Sequence, residues 1–252
     1  MNAYLCVYRQ REPSNGDRRK TEREAEKNPL VAKFLEGYKE SFYDWGDDPS
    51  FFAAKELLGD VRRATWGVCR RDVRGSLNEG DVVVFFCGRQ LKRSGSWSYY
   101  FIGFGTVLEV VRPRDLLWTK RKYAPYRKFY NVLMGPDGKQ RETFHPFHDE
   151  NWKLRADAPY VLFDPEHSAF NLDSPHLVAS WNGDETPETW RPDRKAREIE
   201  RLLFTDRGII KRRLRTSRTG FGHAKLNLLF DRGKVRPGRP LADLTFALEK
   251  LL

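Results

Sequence analysis

The hydrophobic residues of this chain follow two patterns, one typical of β-strands and one typical of helices. Short runs of β-branched and aromatic residues between turn residues predict strands at 3–8, 61–69, 81–87, 99–111, 129–134, 141–144 and 160–163. Apolar residues at helical spacing predict helices at 30–43, 51–58, 187–204 and 241–252. Most of the predicted strands therefore lie in the middle of the chain, with helices before and after them.

Glycines interrupt the longest predicted strand, 99–111. Gly103 and Gly105 lie inside it, and a glycine within a strand marks a bulge or the close approach of another backbone. Gly-Pro-Asp-Gly at 135–138 is a turn signal between two later strands. Residues 9–28 are nearly all polar or charged, and we expect a long loop there that can run into a charged helix. Short strands with such turns predict a small barrel or a strongly curved sheet.

These elements predict an α+β fold with a curved β-barrel flanked by helices. We expect a barrel domain over residues 1–170 with a helical insertion at about 29–60, followed by a helical, basic extension over 171–252 packed on the barrel. The composition is 39% hydrophobic with 7 Trp, 10 Tyr and 17 Phe, which suffices for a core. The longest apolar runs, such as 82–87, fall far short of the roughly 20 residues of a membrane helix. We expect a soluble protein with no membrane partner.

Positive charge is concentrated in one part of the sequence. With 46 Lys and Arg against 35 Asp and Glu, the net charge is +11. Residues 207–239 contain 11 of the basic residues but one acid, Asp231. Such a local excess is typical of proteins that neutralise the phosphates of a polyanion. A solvated basic face that keeps the protein soluble is the alternative interpretation.

The cysteines give no sign of a disulfide framework or a zinc site. Cys6, Cys69 and Cys87 are widely spaced and form no Cys-x-x-Cys pair. A reducing cytoplasm fits this pattern, because structural disulfides belong to oxidising compartments.

One cluster of potential acid–base or metal-binding residues is present. His-Pro-Phe-His-Asp-Glu at 145–150, with His167 downstream, contains the side chains for either role. Pro146 prevents the helical presentation of the two histidines, so a polar loop is favoured, and we predict no metal and no cofactor. The chain has no Gly-x-Ser-x-Gly and no Cys next to a His, which favours a binding protein over an enzyme.

The most distinctive segment begins with a Gly80-Asp81 turn, whose Asp can bond its own backbone, before a buried strand. The next strand reads Tyr-Tyr-Phe-Ile-Gly-Phe-Gly-Thr-Val at 99–107. Together these features resemble the PUA-like superfamily, which includes the ASCH, EVE and YTH domains. Cys69, Arg74 and Gly80-Asp81 also have the spacing of a Cys-Lys-Pro-x-Ile-Arg…Gly-Asp signature in nucleotide-modification-associated domains of bacterial and phage systems. Arg70-Arg71 replaces the Lys-Pro of that signature.

The resemblance implies recognition of a modified nucleobase, flipped from the helix, in a pocket at the edge of the barrel. Reading one base requires aromatic faces for stacking and fixed polar groups for its edge. Trp66 and Trp97 are the favoured stacking residues, whereas interior packing is favoured for Phe86 and simple burial for Cys69. The predicted base pocket consists of Trp66, Cys69, Arg70, Asp72, Arg74, Phe86, Trp97 and Tyr99.

A second candidate segment, 215–225, lies within the basic stretch. Its arginines can fork onto phosphate oxygens, its hydroxyls add donors, and its glycines permit close backbone approach. It lacks the Gly-Lys-Ser/Thr ending of a Walker loop, and a solvated basic loop is the alternative. We expect contacts with the nucleic-acid backbone from Lys211, Arg212, Arg213, Arg215, Ser217, Arg218, His223 and Lys225.

We therefore expect a non-catalytic, cytoplasmic protein that binds DNA rather than RNA and reads a modified base. In phage or bacterial defence, such a reader would act with a separate nuclease or modification enzyme. One alternative is an enzyme of nucleotide or DNA base modification that uses Asp72, Asp81 or residues 145–150 as acid–base groups. A further alternative is an RNA-binding accessory protein.

Overall fold

A computed structural model describes residues 2–11, 23, 26–27, 64–67, 70–90, 97–128, 136, 159–170, 176–181, 194–203, 224–226 and 249–252. The strands are β1 (Ala3–Arg11), β2 (Thr65–Trp66), β3 (Val82–Gln90), β4 (Trp97–Val111), β5 (Tyr160–Phe163), β6 (Ala169–Phe170), β7 (His176–Trp181) and β8 (Ala224–Leu226). The helices are α1 (Arg71–Ser76), α2 (Leu116–Thr119), the 3-10 helix η1 (Arg121–Tyr123), α3 (Ala124–Lys128) and α4 (Arg194–Leu203). Within this part of the chain the fold is α+β.

The strands form one mixed sheet. Its main path runs β2-β5-β4-β3-β1-β8, and β6 and β7 also pair with β4. The neighbours β1 and β3 are parallel, and the other pairs are antiparallel. Among the described strands, β2 and β8 lie at opposite ends of the path and do not pair, so the sheet is not closed into a barrel. The predicted barrel was wrong in this respect, because no described strand bridges the two edges.

Strand β4, which is 15 residues long, organises the sheet because other strands pair with it on both sides. Strand β3 pairs along one side of it. On the other side three short strands follow one another: β7 against Trp97–Phe101, β6 against Gly103–Phe104 and β5 against Val107–Val111. This one long strand therefore pairs with segments that are distant from it in sequence.

The two glycines of β4 permit this crowding. Gly103 has a φ of +139°, and a Cβ at that position would lie 2.3 Å from the carbonyl oxygen of Ala169. A Cβ at Gly105 would lie 2.4 Å from the Phe163 ring. The ladder with β3 also shifts register beside Gly103, which is the behaviour of a bulge. The predicted close approach of another backbone is confirmed at Gly103, whereas the close neighbour of Gly105 is a side chain.

The Gly80-Asp81 turn connects the start of β3 with the beginning of the chain. Gly80 has a φ of +79°, which favours glycine. The buried Asp81 carboxylate accepts the backbone N–H of Asn78 at 3.0 Å, as predicted, and that of Asn2 at 2.7 Å. Such bonds satisfy a carboxylate that burial would otherwise destabilise. Asp81 therefore holds the turn, and its oxygens are occupied by backbone donors.

The two faces of the sheet bury different sets of side chains. Residues of β3 alternate, so that Val84 and Phe86 belong to the cluster that packs against Ile199 and Leu203 of α4. Phe85 points to the opposite face, where Trp66, Phe163 and Phe170 surround it. Burial on both faces explains why β3 reads as a continuous apolar run.

Several boundaries differ from the sequence predictions. Strand β5 lies where we predicted it, whereas β3 continues to Gln90, β4 begins at Trp97 and β1 continues through Arg11. Of the strand predicted at 61–69, the structure describes Thr65–Trp66 as β2, and residues 61–63 and 68–69 lie outside the described residues. Pairing with Gly88–Gln90 supplies hydrogen bonds to residues 9–11, which overrides their polar character. Strands β6, β7 and β8 and helices α1 to α3 were not predicted. The predictions at 30–43, 51–58, 129–134 and 141–144 lie outside the described residues.

Part of the predicted extension belongs to the same sheet and core. Strand β7 pairs with β4, strand β8 pairs with β1, and α4 packs on the sheet through Ala196, Ile199 and Leu203. The helix predicted at 187–204 is thus described as α4, from Arg194 to Leu203. None of the helices in the described ranges has the length and hydropathy needed to cross a membrane.

Candidate nucleic-acid interface

Three rings of the predicted base pocket lie in the core. Trp66 is 0% exposed, with its ring 5.2 Å from Phe85 and 6.4 Å from Phe163 between centroids. Phe86 and Tyr99 are equally buried, in the cluster that packs against α4. A base needs an open ring face on which to stack. In this structure these three rings are therefore packing residues, which was the favoured interpretation for Phe86 but not for Trp66.

The two arginines of the predicted pocket bind backbone carbonyls. Arg70, which adopts a left-handed conformation at φ 54°, donates from Nη2 to the carbonyl oxygen of Val7 at 2.7 Å. Arg74 is fully buried and donates from Nη1 to the carbonyl oxygen of Pro159. Guanidinium groups used in this way join α1 to β1 and to the chain before β5. These bonds give both arginines structural roles. Burial closes Arg74 to a ligand, whereas a contact of the half-buried Arg70 with a base or phosphate stays a prediction.

The remaining predicted site residues are described incompletely or not at all. Asp72 lies in α1, Trp97 begins β4, and Lys225 is opposite Tyr4 in β8, but the structure describes only their backbones. The others lie outside the described residues: Cys69, Lys211, Arg212, Arg213, Arg215, Ser217, Arg218 and His223. The predictions for all of these stay predictions.

A second concentration of positive charge lies at the end of β4. Residues 112–128, here called the basic lobe, contain one acid, Asp115, and seven basic residues: Arg112, Arg114, Lys120, Arg121, Lys122, Arg127 and Lys128. The lobe consists of α2, η1 and α3. This lobe was not among the predicted sites, because acidic residues elsewhere balance its charge in the total. Counting charge in windows of about 15 residues would have found it.

A small hydrophobic cluster fixes the lobe to the sheet. Leu117 and Tyr123 are buried against Val111 of β4 and against Tyr160 and Leu162 of β5. The apolar positions of the lobe thus face the sheet edge. Lys120 and Arg121, by contrast, are exposed. These two charged side chains are thereby presented to solvent on a folded support.

Two arginines of the lobe bind backbone carbonyls. Arg112 donates from Nη2 to the carbonyl oxygen of Gly75 at 3.0 Å and to that of Leu77 at 3.4 Å. Arg127 donates from Nη1 to the carbonyl oxygens of Leu117 and Lys120. Cations at the last carbonyls of a helix satisfy otherwise unpaired acceptors. These bonds fix the positions of two guanidinium groups without neutralising their charge.

Lys122 of the lobe has an acidic partner, Glu109 of β4. Its Nζ lies 2.8 and 3.0 Å from the two carboxylate oxygens of Glu109, and this hydrogen bonding raises the pKa of Lys122. Tyr123 donates its hydroxyl to the same carboxylate, and burial and that bond raise the pKa of Tyr123. Lys120 and Arg121 have no acidic partner among the described side chains. Their positive charges are therefore exposed and not neutralised by an acid within this part of the chain.

An acid–base pair lies elsewhere, in the loop between β5 and β6. His167 Nδ1 is 2.9 Å from Asp164 Oδ2, and Asp164 Oδ1 accepts the backbone N–H of Glu166 at 2.9 Å. Thr106 of β4 holds the loop, because its carbonyl accepts the Asp164 N–H and its N–H donates to Ser168 Oγ. A carboxylate on Nδ1 leaves Nε2 as the accepting nitrogen of a neutral imidazole. No group of three potential metal ligands occurs among the described residues.

Comparison with known proteins finds no match for this chain: no family model, no curated protein and no solved structure is similar. The resemblance to PUA-like domains therefore stays a prediction.

Proposed function

We propose that this protein binds nucleic acid and that the basic lobe contacts the phosphate backbone. The main support is the placement of Lys120 and Arg121, which are exposed on a folded lobe without acidic partners among the described residues. Each cation that reaches a phosphate releases condensed counterions and so adds to affinity. The basic stretch at 207–239 would extend the contact. Neither segment supplies sequence specificity by charge alone.

DNA with a modified base is the proposed ligand, because it is the ligand that the predicted resemblance to nucleotide-modification-associated domains implies. Base reading requires a ring that is open to the ligand, and the buried Trp66 does not offer one in this structure. Trp97 is the remaining predicted stacking tryptophan. The Trp97→Ala variant tests whether this ring stacks on the base. If the variant no longer discriminates between plain and modified duplexes but retains its nonspecific affinity, the stacking role of Trp97 is supported. Unchanged discrimination would refute it.

The backbone-binding proposal is tested by the salt dependence of affinity. Fluorescence anisotropy would compare the wild type with a Lys120→Gln/Arg121→Gln double variant on plain and modified DNA and on RNA of matched sequence. Removing two phosphate contacts should reduce the slope of log K against log salt by about 1.8 on duplex DNA and about 1.4 on single strands. RNA binding tighter than DNA binding would favour the accessory-protein alternative.

A matched control removes the same charge from another surface. Arg197 and Arg201 are exposed on α4, so Arg197→Gln/Arg201→Gln lowers the net charge equally. If both double variants reduce affinity and slope alike, binding responds to net charge and the lobe is not an interface. If neither variant changes the slope, the proposal fails for the lobe.

The alternative class, an enzyme of nucleotide or DNA base modification, is favoured by one observation. The Asp164–His167 pair has the arrangement in which a carboxylate orients a histidine for proton transfer. Purified protein would be incubated with nucleotides and with plain or modified DNA, and products separated by chromatography. This function would be supported if the wild type shows turnover, His167→Gln abolishes it and the control variant Glu166→Gln retains it. Absence of turnover in the wild type would count against it.

A further inference from the structure

An arginine of the basic lobe lies against the end of helix α1. Arg112 directly follows Val111, the buried last residue of β4, and its Nη2 donates to the carbonyl oxygens of Gly75 at 3.0 Å and Leu77 at 3.4 Å. The last carbonyls of a helix lack partners within the helix, so this guanidinium satisfies acceptors that would otherwise be open. Arg112 is thereby held in one orientation where the lobe meets α1.

The same guanidinium keeps donors for a ligand. Arg112 is exposed, and its Nε and Nη1 have no hydrogen-bond partner among the described residues. Neither Asp115 of the lobe nor Glu79, which follows α1, forms an ion pair with it. Guanidinium groups bind phosphate oxygens through charge-assisted hydrogen bonds, and an oriented group loses less conformational entropy on binding than a mobile one. Arg112 therefore combines a fixed position with a charge that a phosphate can reach.

Open space lies beside this arginine. Gly75 is exposed, and a Cβ built on it would meet no atom within 4 Å. Its carbonyl oxygen is the one that Arg112 binds at 3.0 Å, so this space is next to the guanidinium. The absence of a side chain at Gly75 leaves room for a sugar–phosphate chain to approach Arg112.

We propose that Arg112 binds a phosphate of the DNA backbone and extends the contact of the lobe to the end of α1. This inference rests on the proposed function and deepens it by naming a contact residue whose orientation is fixed before the ligand arrives. The carbonyl oxygens of Gly75 and Leu77 carry partial negative charge, which repels a phosphate. Because Arg112 covers both oxygens, it adds an attraction and removes a repulsion at the same place.

The first test places a carboxylate in the open space, in Gly75→Glu. A carboxylate next to the guanidinium neutralises its charge without removing any atom of the wild-type protein. Loss of one phosphate contact should reduce the slope of log K against log salt on plain duplex DNA by about 0.9. With K at 1 M salt unchanged, this slope corresponds to roughly eightfold weaker binding at 0.1 M salt. Gly75→Gln has the same size without the charge and should bind as the wild type does.

A second control separates this effect from a change in net charge. Arg201→Gln, at an exposed position of α4, also lowers the net charge by one. It should change the slope much less than Gly75→Glu does. If the two variants reduce the slope alike, or if Gly75→Glu binds as tightly as Gly75→Gln, the proposal for Arg112 is wrong.

Replacing the arginine itself gives an independent measurement. Arg112→Gln removes the charge and uncovers two carbonyl oxygens, so it should weaken DNA binding more than Arg121→Gln, which removes a charge alone. Chemical denaturation identifies conditions in which both variants are folded, and affinities are compared there. An equal or smaller loss in folded Arg112→Gln would overturn the proposal. If Arg112→Gln does not fold, the two Gly75 variants decide.

The outcomes separate this inference from the proposed function. If Lys120→Gln/Arg121→Gln reduces the salt slope but Gly75→Glu does not, the lobe contact stands and its extension to α1 is wrong. If neither variant changes the slope, the function assigned to the lobe is itself wrong. An effect of Gly75→Glu on RNA of matched sequence but not on DNA would overturn the choice of DNA.

Discussion

The guanidinium of Arg74, which is fully buried, donates a hydrogen bond to the backbone carbonyl of Pro159. This bond joins α1 to the residue before β5, across 85 positions of sequence. The same arginine belongs to the signature that led us to predict a base pocket. Its geometry instead gives it a role in stability, and that difference is measurable.

Replacing Arg74 should therefore affect folding and not the salt dependence of binding. Arg74→Met removes a hydrogen bond from a charged donor and leaves a carbonyl without that partner, which should lower the free energy of unfolding by about 1.5–3 kcal/mol. Chemical denaturation measures this value. Arg201→Met, at an exposed position of α4, is the control and should have little effect. A reduced salt slope with unchanged stability would contradict the structural role.

Substitution of Gly103 should be much more damaging than substitution of Gly75. Gly103→Ala combines a φ of +139° with a Cβ only 2.3 Å from the Ala169 carbonyl oxygen, so we expect a loss of about 1–3 kcal/mol. A Cβ at Gly75, in α1, would meet no atom within 4 Å. Gly75→Ala should stabilise the protein by about 0.4–1 kcal/mol. Thermal unfolding of both variants tests the difference, and equal destabilisation would contradict the close contact described for β4.

Trp66 should be a stability residue. Trp66→Ala removes a ring enclosed by Phe85 and Phe163 and should cost about 3–5 kcal/mol. Trp66→Phe keeps a ring and should cost less. At a temperature where Trp66→Phe is folded, its discrimination between plain and modified DNA should equal that of the wild type. Loss of this discrimination in the folded variant would show that Trp66 takes part in ligand binding.

The stability of the protein should decrease at high pH through Tyr4. Burial and the nearby Asp81 carboxylate raise the pKa of Tyr4 to about 12, from about 10 in an unfolded chain. The unfolded state therefore loses this proton first, so the contribution is complete below pH 10 and is lost between pH 10 and 12.

The matched variant for this prediction is Tyr4→Phe, which lacks the hydroxyl that donates to the Ser76 carbonyl at 2.9 Å. Urea denaturation at pH 9 and at pH 11 would compare the two proteins. The free energy of unfolding of the wild type should exceed that of Tyr4→Phe by less at pH 11 than at pH 9. An advantage that stays constant or grows would show that the tyrosine ionises equally in both states.

The local predictions succeeded where the chain's own pattern decides the structure. The apolar run at 82–87 becomes β3, and the glycines of β4 mark the close approach of β6 and the Phe163 ring. The extension of β1 through Arg11 was missed because its hydrogen bonds come from β3, about 80 residues away. Tertiary pairing of this kind overrides local composition.

The candidate site was harder to predict because exposure depends on distant segments. Trp66 has polar and glycine neighbours typical of a surface position, yet β5 pairs with its short strand, and Phe85 and Phe163 enclose its ring. The basic lobe shows the opposite case, because Lys120 and Arg121 are exposed. Its cations are visible in the sequence, but their exposure follows from Leu117 and Tyr123 packing inward.

The order of strands at one side of the sheet has a consequence for assembly. Among the described strands, β8 is bonded to β1 and β1 in turn to β3. Residues 224–226 therefore find their ladder partners in residues 3–5, so the latest of the described strands depends on the earliest. A substitution that weakens β1 should also release β8.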